Sequence, residues 1–137
     1  MIRLAQPKDV DAIVEGMLAL KEQTGWKYYD QPRYNHDTLT EFIRRRLLDG
    51  NSVLMVWDED NVAGFIGASL HRVTLPPYMP MLYEWGWFGI PKVCARLLHA
   101  ACQWGKRRGA ELVGYARPTP GSRPGVIREQ FVWKVLK

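Results

Sequence analysis

The 137-residue sequence is poor in cysteine and histidine, with two of the first and three of the second. Cys94 and Cys102 fall in a stretch that reads as one helix. At 1.5 Å rise per residue they stand roughly 12 Å apart, too far for a disulfide. Two free thiols point to a reducing compartment. His36, His71 and His99 are isolated, and none has the Ser or Asp company of a nucleophilic triad. His99 lies on a different helical face from the cysteines, whose spacing is too long for one zinc ion, so no metal is expected. No apolar run approaches 18 residues and no targeting segment is visible. The expectation is therefore no membrane contact and a cytoplasmic location, or the interior of a particle that packages the protein. Internal repeats and domain linkers are also missing, which suggests a single domain over residues 1–137.

What is present is an ordinary globular composition, 47% apolar and 24% charged, with six tryptophans that should mostly enter the core. Nineteen basic and 14 acidic residues leave a net charge of +5, mild enough to suit an anionic ligand without requiring one. Asp37, Glu41, Asp49 and Glu111 interrupt the basic surface and no recognition motif accompanies it, so nucleic acid is disfavoured as a partner.

Residues 85–110, WGWFGIPKVCARLLHAACQWGKRRGA, organise the rest. They read as a strand end, a turn at Gly89, and a long helix with Pro91 in its first turn and Gly109 at its C′ position. Cys94, Leu97, Leu98, Ala101, Cys102 and Gly105 recur at helical spacing and form the expected apolar face. An apolar strand over residues 112–116 follows, so strand, helix and strand form a crossover joining parallel neighbours. Free backbone N–H groups make the entry turn of this helix a candidate anion site. Upstream, the pattern predicts a strand at residues 2–5, a helix from about Val10 to Gln23, and a loop at residues 26–36. A second helix capped by Asp37 comes next, then a hairpin of strands at 52–57 and 62–73, and a strand at 81–88. A final strand or bent hairpin occupies 126–136. The loop carries Trp26, Tyr28 and Tyr29, which either border an acceptor groove or pack down onto the core.

This order resembles the GNAT superfamily of N-acetyltransferases over nearly the whole chain. The similarity is most specific in residues 97–112, LLHAACQWGKRRGAEL, which resemble the family's third-helix pattern. The fold class implied is α/β (α+β): a mixed, mainly antiparallel sheet with one parallel strand pair and helices on both faces. The family's pyrophosphate signature is Arg or Gln, two residues, Gly, one residue, then Gly or Ala. Here it reads Gly89-Ile90-Pro91-Lys92-Val93-Cys94, with Lys92 and Cys94 where small residues are expected. A Cβ narrows the approach of a phosphate to the backbone; the Lys92 charge acts the other way. Resemblance implies acetyl-CoA as cofactor, held by Trp85, Trp87, Phe88, Gly89, Ile90, Lys92, Val93 and Cys94. It also implies an acceptor amine, on a small molecule or a protein, near Trp26, Tyr28 and Tyr29. The family's short helix after the fifth strand, often bearing a tyrosine acid, is replaced by RPTPGSRPG. Two readings follow: an N-acetyltransferase, or a degenerate GNAT-fold binding or structural protein such as a phage virion component. Oligomeric state is left open.

Acetyl transfer to an amine needs a base, an N–H donor to the thioester oxygen and an acid for the departing thiolate. Glu84 is the candidate base: it lies among Tyr83, Trp85 and Phe88, where apolar surroundings would raise its pKa. The alternative is an edge carboxylate paired with an arginine. Strand alternation would put Leu82, Glu84, Gly86 and Phe88 on one face. Tyr115 is the fallback acid. Cys94 reads either as a thiol activated by the helix N-terminus and Lys92 or as a buried inert one.

Overall fold

Among the described residues, six strands stand side by side in the order in which they occur in the chain. The computed structural model describes residues 1–24, 35–72, 79–118 and 129–136. The strands are β1 (Ile2–Leu4), β2 (Ser52–Glu59), β3 (Asn61–Arg72), β4 (Pro80–Phe88), β5 (Leu112–Pro118) and β6 (Glu129–Val135). The helices are α1 (Val10–Thr24), α2 (His36–Leu47) and α3 (Pro91–Arg107), with a 3-10 turn at Pro7–Asp9 leading into α1. Every neighbouring pair is antiparallel except β4 and β5, which run parallel and are joined through α3. This is the mixed, mainly antiparallel sheet that the resemblance implies, and its parallel pair is the one the crossover pattern predicts.

Strand alternation divides the apolar residues between two cores. Val53 and Met55 of β2, Ile66 and Ala68 of β3 and Leu82 of β4 face α3. Leu54, Val56 and Phe65 face α1 and α2, meeting Val10, Ile13, Val14 and Met17 of α1 and Leu39 and Ile43 of α2. Each fully buried side chain of this kind stabilises the fold by about 1.5–3 kcal/mol relative to exposure.

At the ends of α3, the structure agrees with the sequence signals. Pro91 opens the helix, where its missing N–H breaks no hydrogen bond, and Gly109 follows its end at φ +87°. Its buried stripe differs. Val93, Leu97, Ala101, Trp104 and Gly105 face the sheet, while Cys94, Leu98 and Cys102 are only half-buried at its flank. The helix is rotated about its axis so that the larger Val93 and Trp104 side chains, instead of the two small thiols, fill the space over the sheet. The start of α2 also differs. Asn35 is the N-cap, its side chain accepting the Thr38 N–H at 3.0 Å, and Asp37 lies in the first turn. The hairpin is tighter than the Asp58–Asn61 turn expected: β2 runs to Glu59 and β3 starts at Asn61, with Asp60 at the tip at φ 64°, a left-handed conformation that Asp tolerates better than most residues.

The N-terminal strand is tied down by Arg3. Its guanidinium donates to both carboxylate oxygens of Asp9, at 2.7 and 2.9 Å, and through Nε to Asp58 at 2.9 Å. Asp9 is buried and also accepts the Gln6 N–H at 2.8 Å. These bonds, led by that from Arg3, hold the Asp9 carboxyl below the usual carboxylate range.

Candidate active site

The parallel ladder between β4 and β5 is short. It pairs Met81 with Leu112, Leu82 with Val113 and Tyr83 with Gly114, and then the two strands part. Among the described residues, no strand pairs with residues 84–88 on the side of β4 that faces β5. Glu84 sits where the strands separate. It is buried, at 6% exposure, and its Oε1 accepts the Ala116 N–H across the opening at 3.4 Å.

The face on which Glu84 lies is set by a bulge. On β3 the partners Gly67 and Ala68 are adjacent, yet on β4 they pair with Gly86 and Glu84, leaving Trp85 as an extra residue. Simple alternation therefore fails across this point. Leu82 and Glu84 point toward α3, but Gly86 and Phe88, expected on the same face as these two, do not. Gly86 lies near Met17 and Phe65, and Phe88 packs on Phe65 with ring centroids 5.7 Å apart. Trp85 is on that same side. Its indole meets Phe42 edge-on at 4.9 Å and lies over Gly67, where a Cβ would collide with the ring.

The candidate residues thus divide into two groups. Glu84, Trp87, Cys94 and Tyr115 come together on the α3 side; the Trp87 and Tyr115 rings are 6.0 Å apart. The side chains of Trp85 and Phe88 are on the opposite face, in the α1–α2 core, because the bulge reverses the pattern. Trp26, Tyr28 and Tyr29 lie outside the described residues, as does most of the RPTPGSRPG stretch.

At the end of β4, Gly89 turns the chain at φ +137°, a conformation suited to glycine. Ile90 is the N-cap of α3 without a side-chain cap, and no acidic residue occupies the first turn. The Cys94 N–H is bonded to the Ile90 carbonyl at 3.0 Å. Pro91 has no N–H, so Lys92 and Val93 carry the amides left at the helix start. Ile90 and Lys92 are exposed, and Val93 is buried. The Cys94 side chain turns back from the helix end, its thiol donating to the Gly89 carbonyl at 3.4 Å. Burial pushes this thiol's pKa up, and the Glu84 charge adds to the effect. Both effects run against the activation that the helix N-terminus and Lys92 would give.

No protein-family model matches the chain, and no curated protein matches it. Solved structures do. A ribosomal-protein-alanine N-acetyltransferase from Brucella melitensis is similar over 99% of both chains, at 14% identity and a TM-score of 0.69. A candidate acetyltransferase from Salmonella typhimurium, solved with its cofactor acetyl-CoA, is similar over all of this chain and 94% of its own, at 17% identity and a TM-score of 0.70. The chain has the GNAT fold. An acetyltransferase from Vibrio fischeri shares it over 82% of this chain and 92% of its own, at 19% identity and a TM-score of 0.61. At these identities the likeness concerns the fold, and the chemistry must be argued from this GNAT-fold chain's own residues. Among the described residues, no helix is long and apolar enough to cross a membrane.

Proposed function

We propose that this GNAT-fold chain is an acyl-CoA-dependent N-acetyltransferase that acetylates an amine on a small molecule or a protein. The observation that carries this reading is the buried Glu84 carboxylate at the parting of β4 and β5, between an open strand edge and the amino end of α3. The residues fit a ligand of the acetyl-CoA type. An extended arm bearing amides can add to an open strand edge as a peptide does, and a pyrophosphate suits a helix start that has free amides, no acid and one lysine. The cysteine where the family has a small residue has its thiol bonded to the Gly89 carbonyl.

Bound there, acetyl-CoA supplies a thioester activated toward an amine. Glu84 takes the proton that the ammonium must lose before its nitrogen can attack. The β4 edge beyond Glu84 offers backbone N–H groups to charge developing on the carbonyl oxygen. Lys92 and the first amides of α3 hold the phosphates. Tyr115 is the candidate acid, on the same side of the sheet as Glu84 and adjacent in sequence to Ala116, whose N–H bonds Glu84.

A second reading, a GNAT-fold binding protein without catalysis, is favoured by Lys92 and Cys94 at the positions where the family pattern has small residues. Free-thiol release from acetyl-CoA in the presence of an amine panel separates the two. Wild-type protein should release thiol with at least one amine, and Glu84→Gln should lower kcat by about 10²-fold or more while leaving acetyl-CoA affinity unchanged. Equal rates for both proteins would remove Glu84 from the mechanism. Absence of turnover with acetyl-CoA bound would favour the binding protein.

A further inference from the structure

Ser69, Ser52 and Asp49 join Trp85 in a chain of hydrogen bonds whose direction is settled at each link. The Trp85 indole N–H can only donate, and it reaches Ser69 Oγ at 3.0 Å. The Asp49 carboxylate accepts from the Ser52 hydroxyl at 2.8 Å. With its proton committed there, the Ser52 oxygen must accept from Ser69 across the 2.7 Å contact between the two hydroxyls. Ser69 therefore accepts a hydrogen bond from the Trp85 N–H and donates one to Ser52. Asp49 anchors the far end, where it also accepts the Asn51 N–H at 2.9 Å and Arg46 Nη1 at 3.2 Å. The same Arg46 guanidinium lies 4.9 Å from the centre of the Phe42 ring, whose edge meets Trp85. Polar and aromatic contacts thus close a loop around the extra residue of the β4 bulge.

Register arithmetic shows what that loop selects. If the Gly67–Gly86 pairing were kept and the bulge removed, Trp85 would stand opposite Ala68, and Glu84 opposite Ser69. Ala68 faces α3 and Ser69 faces the other core, so Trp85 and Glu84 would exchange faces. Compared with that unbulged register, the bulged one lets the Trp85 N–H reach Ser69 and puts Glu84 on the α3 side beside Cys94 and the parting of the strands. We infer that Ser69, Ser52 and Asp49 are positioning residues: their hydrogen-bond chain locks the register of β4 that aims the Glu84 carboxylate into the opening between β4 and β5. That these residues position a catalytic base rests on the reading of Glu84 proposed above; the register lock does not.

The test therefore uses no substrate. Cys94 senses the Glu84 charge, so its alkylation by iodoacetamide at pH 8, read on the Cys94 peptide by mass spectrometry, reports where Glu84 stands. In the wild-type background, Glu84→Gln should speed alkylation by about threefold, because the charge that opposes thiolate formation is gone. In a Ser69→Ala background the same change should alter the rate by less than about 1.5-fold, because the two sites are coupled. Trp85→Phe removes the donor while keeping a ring, and serves as a second background with the same expectation should Ser69→Ala not fold. Persistence of the threefold effect in either folded background would overturn the lock, even if the variant melts earlier, since it would mean that Glu84 had not moved. Loss of acetyl-CoA turnover in the wild type would sink the enzyme reading while leaving this cycle interpretable.

Discussion

Replacing Lys92 by glutamate should shift two measurements in opposite directions. In the ligand-free protein, Lys92 stands exposed in the first turn of α3, which has no acid and no side-chain cap. A cation there opposes the positive end of the helix dipole by about 0.3–1 kcal/mol, and an anion gains a similar amount. The two contributions add, so Lys92→Glu should stabilise the free protein by roughly 0.6–2 kcal/mol, which for a domain of this size raises Tm by about 2–8 °C. With a phosphate-bearing ligand, the sign reverses. Glutamate repels the phosphates and competes with them for the amides of Lys92 and Val93, so acetyl-CoA affinity should fall at least about tenfold, or about 1.4 kcal/mol. Lys92→Gly should weaken binding less, because the lost charge is offset by easier approach to the backbone. Thermal melts with and without acetyl-CoA, together with calorimetric titration of each variant, read both effects. A wild-type protein that binds acetyl-CoA tightly, beside a Lys92→Glu variant that binds it equally well, would refute the reasoning.

Three further outcomes are expected. Because Arg3 holds the Asp9 carboxyl below its usual range, this group adds stability at pH values above its unfolded pKa near 4, and the contribution fades as pH falls through the lower folded value. Asp9→Asn should flatten the acid limb of a urea-stability profile, and an unchanged limb would count against the Arg3 clamp. Gly67→Ala places a Cβ against the Trp85 indole and should cost about 1–3 kcal/mol, whereas Gly50→Ala meets nothing within 4 Å and should stay within about 0.5 kcal/mol. Equal denaturation midpoints for the two glycine variants would mean that the bulge does not seat Trp85 on Gly67.

Much of the architecture is written locally. Pro91 and Gly109 bracket α3, apolar runs mark the strands, and a helix between two strands calls for a parallel pair; each signal depends on neighbours in sequence. The β4 bulge does not. Nothing in LYEWGWF marks Trp85 as the extra residue, since the decision lies across the sheet, in the missing Cβ of Gly67 and the hydroxyl of Ser69. Reading β4 by alternation consequently puts Gly86 and Phe88 on one face with Glu84, and the bulge separates them. The rotation of α3 was hidden for a related reason: Cys94, Leu98 and Cys102 form as regular a stripe as Val93, Leu97, Ala101 and Trp104, and the choice depends on which side chains fill the space above Gly64 and Leu82. Asn35 and Asp37 are both good caps, and local propensity does not separate them. The Ser69–Ser52–Asp49 chain was invisible because two serines 17 positions apart become neighbours only through the hairpin register.

The central claim is that the amino end of α3 and the open edge of β4 form a site for acetyl-CoA. Calorimetric titration of the wild-type protein with acetyl-CoA, and separately with CoA, tests it most directly. Saturable binding with a Kd in the micromolar range, about −8 kcal/mol at 1 μM, is expected; absence of binding heat up to millimolar ligand would rule such a site out.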